Sequence, residues 1–106
     1  MDFAIILTTA SATEEGRSIA NTLVEKQLAA CVNIIPKISS VYRWEGQIQS
    51  ETEVLLLIKT TKDLEAEVYR EVQAVHSYDT PELITLPITN GSETYLGWLN
   101  AAVREK

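Results

Sequence analysis

The chain has 106 residues, 45% hydrophobic and 23% charged, with a formal net charge of −6. That length and composition fit a single globular domain over residues 1–106 with one buried core, and exclude a disordered chain. The acidic balance, with nine lysines and arginines scattered along the chain, argues against nucleic acid as a partner, since phosphate binding needs a basic patch.

The first element, "DFAIILTTA", is continuously apolar from Phe3 to Leu7 and reads as a strand. No apolar run in the chain approaches roughly 18 residues, so neither a transmembrane helix nor a membrane partner is expected. The acidic opening "MD" also lacks the basic flank of a signal peptide, which makes the cytoplasm the expected location. "SATE" then offers a capping box, Ser11 with Glu14. Behind it Ile19, Ala20, Leu23 and Val24 recur at helical spacing, predicting a helix of about 14 residues.

"AACVNIIPKISSVYRW" reads as a long strand with a break or bulge at Pro36. "EG" makes the tip of a hairpin, Gly46 supplying the permissive position. "QIQSETEVLLLIKT" returns as a second long strand, and its acidic part reads as a solvated hairpin surface. Leu64, Val68, Val72 and Val75 mark a second helix. The connection "HSYDTP" leads to a strand "ELITLPIT", and Ser92 in "NGSE" is a predicted N-cap. The last helix carries Tyr95, Leu96, Trp98, Leu99, Ala102 and Val103, with Trp98 expected in the core.

The order β-α-β-β-α-β with an additional carboxy-terminal helix is the α+β, ferredoxin-like arrangement, two helices on one face of a four-stranded antiparallel sheet. The central strands, Phe3–Leu7 and Val54–Ile58, look apolar on both faces. A sheet with one wet face should alternate, and a soluble monomer avoids a large exposed apolar patch. The pattern therefore predicts an oligomer in which a second subunit covers that face. Hairpin strands longer than the usual 5–6 residues should project and pair with a neighbour.

Chemistry-bearing residues are few. His76, the only histidine, is placed at the end of the second helix, either as a metal ligand or proton carrier or as a helix-terminal residue bonded to a backbone carbonyl. Alone it cannot build a structural zinc site, which normally takes four ligands. Glu82, after Pro81, is a candidate carboxylate ligand or a polar residue at a strand start. Cys31, the single cysteine, excludes an intramolecular disulfide and a CxxC motif. It reads as a small buried hydrophobe or a thiolate ligand. Lys59 ends an apolar strand and could reach an anion, and Trp44 could stack on a ligand or fill an interface. There is no G-x-S-x-G elbow and no glycine-rich phosphate loop.

Three blocks, "LVEKQLAACVNIIP", "VYRWEGQIQSETEVLLLIKTT" and "VHSYDTPELITLPITNGSETYLGWLNA", together resemble the CutA divalent-ion tolerance family over nearly the whole chain. The resemblance implies a tight homotrimer similar in architecture to the PII-like signalling proteins, with hairpins pairing across subunits and no enzymatic activity. It also implies a link to copper and divalent-cation tolerance, with Cu(II) bound by some members. Their copper site uses a cysteine at the end of the first strand and two adjacent histidines before the Tyr-x-x-Pro-Glu segment. Here those positions are Thr8 and Val75–His76, and neither threonine nor valine ordinarily ligates Cu(II). The expectation is thus a weak divalent-cation site at His76 with help from Cys31 or a carboxylate, and no obligatory cofactor. A second expectation, from the PII-like likeness, is an inter-subunit cleft for a small molecule or anion lined by Tyr42, Trp44, Lys59, Tyr78 and Glu82. A third is a trimeric scaffold without a ligand.

Overall fold

Residue alternation in the first strand decides the layering. In the computed structural model, which describes residues 2–106, β1 (Phe3–Ala10) buries Ala4, Ile6, Thr8 and Ala10 while Phe3, Ile5 and Leu7 stay half-covered. The buried set faces two helices, α1 (Thr13–Glu25) and α2 (Glu65–Val75). Between and after them run β2 (Cys31–Trp44), β3 (Gln47–Thr61), a 3₁₀ turn at Lys62–Leu64, β4 (Ile84–Ile88) and α3 (Glu93–Ala102). All strand pairings are antiparallel, in the order β2-β3-β1-β4. This is the expected ferredoxin-like α+β arrangement with its additional helix.

The core lies between the sheet and the helices. Ile6, Leu56 and Ile58 from the sheet meet Ile19 and Leu23 of α1 and Val68 and Val72 of α2, with Leu64 closing one end. Each such aliphatic side chain contributes roughly 1.5–3 kcal/mol by leaving water. Gly16 lets α1 approach the sheet, since a Cβ there would meet Val54 Cγ2 at 3.1 Å and Leu56 Cδ2 at 3.3 Å.

Several local expectations are corrected. The capping pair at the start of α1 is shifted by one residue: Ala12 is the N-cap, and the Ser11 amide and hydroxyl donate to Glu15 Oε1 at 3.2 and 2.9 Å, leaving Glu14 unused. Leu64 lies in the 3₁₀ turn ahead of α2 rather than in the helix, whereas Val75 ends α2 as expected and is 45% exposed. Trp98 is 48% exposed rather than core, packed on Tyr95 with ring centroids 5.5 Å apart, while Leu99 takes the buried position. β4 is shorter than "ELITLPIT", beginning at Ile84. Ser92 caps α3 as expected, its hydroxyl accepting from the Tyr95 amide at 3.2 Å.

The hairpin is long, and the molecule measures 44 × 25 × 21 Å. Its two-residue tip, Glu45–Gly46, has φ of 50° and 76°, the left-handed values that twist-matched hairpin turns require. The irregularity expected at Pro36 is a one-residue bulge: Ile35 pairs with Leu55, but Ile38 pairs with Glu53, and Lys37 takes φ 59°. An extra residue reverses the side-chain parity of β2. Beyond the bulge Ile38, Ser40, Tyr42 and Trp44 therefore pair with Glu53, Glu51, Gln49 and Gln47 on the face away from the helices.

That second face of the sheet is apolar. Ile35, Ile84 and Leu86 are 43%, 49% and 44% exposed, beside the half-covered Ile5, Leu7, Leu55 and Leu57.

Candidate functional site

The parity reversal aims the arm's aromatic residues at the loop that follows α2. Between them lies a cleft of about 750 Å³, lined by Tyr42 and Trp44 from β2, Glu51 and Glu53 from β3, Thr9 from β1, and Tyr78, Asp79, Thr80 and Glu82 from the loop. The cleft thus gathers Tyr42, Trp44, Tyr78 and Glu82, four of the five residues expected to line one. It also takes in Asp79, together with Glu51 and Glu53, which the sequence reading left on the hairpin surface. Among the described residues no lysine, arginine or histidine lines it.

Two phenols organise the carboxylates. The Tyr42 hydroxyl donates to Glu51 Oε1 and the Tyr78 hydroxyl to Glu53 Oε2, the latter at 2.8 Å. Burial, followed by the hydrogen bond and charge of Glu53, holds the Tyr78 phenol well above its ordinary range, so it remains a donor at any physiological pH.

His76 stands behind this wall. Its side chain is fully buried, and both ring nitrogens are engaged with backbone. Nε2–H donates to the Thr9 carbonyl at 2.7 Å, and Nδ1 accepts from the Tyr78 amide at 3.0 Å. Those partners fix the neutral Nε2–H tautomer. The ring also packs against that of Tyr78, centroids 4.7 Å apart. A metal ion at His76 would have to displace one of the two hydrogen bonds.

Glu15 completes the support, and sequence reading missed it. Its Oε2 accepts from the Ser77 amide at 2.8 Å and lies 3.7 Å from His76 Nδ1. Burial alone would raise its pKa, but the hydrogen bonds from Ser77 and Ser11 outweigh that and hold the carboxyl at about 2 rather than 4.5. α1, β1 and the loop after α2 are in this way tied together around Tyr78.

The remaining candidates lie elsewhere. Lys59 pairs in register with Ile5 and Cys31, six residues along β3 from Glu53, roughly 20 Å away at strand spacing. Its ammonium stands 5.7 Å from the Tyr95 ring centroid, a cation–π contact outside the cleft. Cys31 is a half-buried free thiol at the same level, 3.9 Å from Asn33 Oδ1. Within one chain it is four residue levels, about 13 Å, from the Thr9–His76 bond, so Cys31 and His76 do not share a ligand set. Among the described residues no group of three or more His, Cys, Asp or Glu side chains is arranged to hold a metal ion.

Fold and cleft together define a ferredoxin-like protein with an extended hairpin arm and an acidic, aromatic cleft running along the arm. The chain belongs to the CutA1 divalent ion tolerance protein family, whose family model matches residues 4–102. It is 49% identical over 100 residues to the chloroplastic protein CutA of Arabidopsis thaliana, covering 94% of this chain and 55% of that protein. It is 45% identical over 95 residues to the divalent-cation tolerance protein CutA of Thermus thermophilus, covering 90% of this chain and 92% of that one. The crystal structure of CutA1 from Oryza sativa superposes with a TM-score of 0.98 at 42% identity, over 100% of this chain and 97% of that one.

Proposed function

We propose that this protein serves divalent-cation tolerance as a non-enzymatic, cytoplasmic homotrimer that binds divalent cations weakly, Cu(II) among them, without an obligatory cofactor. The observation that carries the reading is the cleft lined by Glu51, Glu53, Asp79 and Glu82 with no cationic side chain among the described residues. Such a surface attracts cations, and the overall charge of −6 adds to the attraction. Binding is weak because the carboxylates line a broad cleft rather than a cage, and because both His76 nitrogens are already bonded.

Trimer formation is supported by the apolar second face of the sheet, with Ile35, Ile84 and Leu86 exposed, and by the projecting arm. An anion sensor has less geometric support, since Lys59 stands under Tyr95 away from the cleft.

Calorimetric titration with Cu(II) against a competing chelator tests the metal reading on the wild type, Glu53→Gln and His76→Ala. Weak saturable binding that Glu53→Gln diminishes is the expected result. Its loss only in His76→Ala would move the ion to the histidine, and no saturable binding in the wild type would refute the reading. Light scattering tests the assembly: a well-folded monomer on dilution would overturn the trimer.

A further inference from the structure

We propose that Asn90–Gly91, in the turn between β4 and α3, is a self-modification site: the Gly91 nitrogen displaces the side-chain amide of Asn90, which becomes aspartate or isoaspartate. The reaction takes place within one chain, at the end of the sheet opposite the arm, and draws only water from outside.

Sequence and fold single out this asparagine. Attack closes a ring from a backbone nitrogen onto Cγ of the preceding side chain, so a Cβ on the attacking residue hinders it and glycine does not. The chain has four asparagines, followed in order by Thr22, Ile34, Gly91 and Ala101. Asn21 lies within α1, Asn33 within β2 and Asn100 within α3, where regular hydrogen bonding fixes the torsions that ring closure must change. Asn90 alone is outside helix and strand, and it is exposed.

Local geometry brings the reacting groups together. The Gly91 N–H donates to Asn90 Oδ1 at 2.9 Å, which folds the side-chain amide back against the nitrogen that attacks it. In the reaction the Gly91 nitrogen gives its proton to solvent and bonds to Asn90 Cγ. Nδ2 takes up a proton and departs as ammonia, leaving a cyclic imide. Water then opens the ring. Cleavage of the new bond at Cγ restores the ordinary main chain with aspartate. Cleavage at the original backbone carbonyl gives isoaspartate, whose main chain runs through Cβ and Cγ. One water is consumed and one ammonia released, with no oxidant or reductant.

The two products act differently on α3. Aspartate places a charge two residues ahead of the Ser92 cap, near the positive end of the helix, and leaves the main chain unchanged. Isoaspartate lengthens the main chain by one atom in a turn without slack. A Cβ on Gly91 would already meet Leu96 carbons at 3.1 and 3.2 Å. That entry sets the bond from the Tyr95 amide to the Ser92 hydroxyl at 3.2 Å and from the Leu96 amide to the Ser92 carbonyl at 3.0 Å. α3 in turn carries the buried Leu99 and the Tyr95 ring against Lys59. Isoaspartate at position 90 therefore loosens α3 from the body.

The test ages the full-length protein in neutral buffer made with water enriched in heavy oxygen, then maps its peptides by mass spectrometry. Isoaspartate is counted by enzymatic methylation. The Asn90 peptide should convert roughly tenfold or more faster than those of Asn21, Asn33 and Asn100. It should carry one solvent oxygen and appear in both aspartyl and isoaspartyl forms. Asn90→Gln, whose longer side chain would have to close a larger ring, should abolish the isoaspartate signal. Aged wild type should unfold at a lower temperature than fresh wild type, while aged Asn90→Gln and fresh Asn90→Asp keep theirs. No conversion at Asn90, conversion of another asparagine at the same rate, aspartate without isoaspartate, or an isoaspartate signal surviving in Asn90→Gln would each overturn the proposal. Aged wild type unfolding together with fresh Asn90→Asp would overturn the effect on α3.

Discussion

Glu15→Gln isolates the charge that ties α1 to the loop carrying Tyr78. The glutamine keeps the size of the side chain and one acceptor oxygen, and removes the negative charge that Ser11 and Ser77 solvate. In the folded protein the carboxyl is held at about 2 against an ordinary 4.5. At ~1.36 kcal/mol per pH unit that difference sets a ceiling of about 3.4 kcal/mol. The side chain is 17% exposed, so solvent screening lowers the figure, and a loss of about 2 kcal/mol at pH 7 is expected. Because the folded value lies below the unfolded one, the stabilisation is complete above pH 4.5 and drains away as pH falls toward 2. Urea unfolding at one fixed protomer concentration, for wild type and variant at pH 7, 4 and 2.5, measures this while holding the contribution of assembly constant. The two stabilities should converge at acid pH. A gap of the same size at pH 7 and pH 2.5 would refute the argument, because it would assign the effect to packing rather than charge.

Two other outcomes can be checked on the same preparations. His76→Ala removes a fully buried ring and strands the Thr9 carbonyl and the Tyr78 amide, so urea unfolding should show a loss of about 2–4 kcal/mol; less than about 0.5 kcal/mol would mean the ring is not a strut. Gly97→Ala places a Cβ in α3 where nothing lies within 4 Å, and thermal unfolding should show a gain of about 0.5–1 kcal/mol from helix propensity. A loss there would reveal a neighbouring subunit packed against that helix surface.

Much of the architecture was legible because it is local. The apolar run Phe3–Leu7, the Glu45–Gly46 tip and the Ser92 cap each follow from residues a few positions apart. The site was legible only in part. Tyr42, Trp44, Tyr78 and Glu82 come together as expected, but the depth of Glu53 depends on a register set by the bulge in the facing strand. Glu15 reaches Ser77 across 62 positions, and no short-range pattern marks such a contact. His76 illustrates the same limit: its place at the helix end was readable, whereas the carbonyl that claims Nε2 belongs to Thr9, 67 positions away. Trp98 was misplaced because helical spacing identifies a stripe of neighbours without saying which of them, Trp98 or Leu99, turns inward.

The single extra residue at Lys37 also makes the two halves of one strand separately adjustable. Before it, Val32 and Ile34 answer to the helices; after it, Tyr42 and Trp44 answer to the loop beside Tyr78. Inserting or deleting a pair of residues in the outer half of both strands would lengthen or shorten the reach of the arm without disturbing the body's hydrophobic layer. Relatives could differ in arm length and in what the arm grips while sharing one subunit body, and an engineer could exchange the outer hairpin as a cassette with the bulge as its boundary.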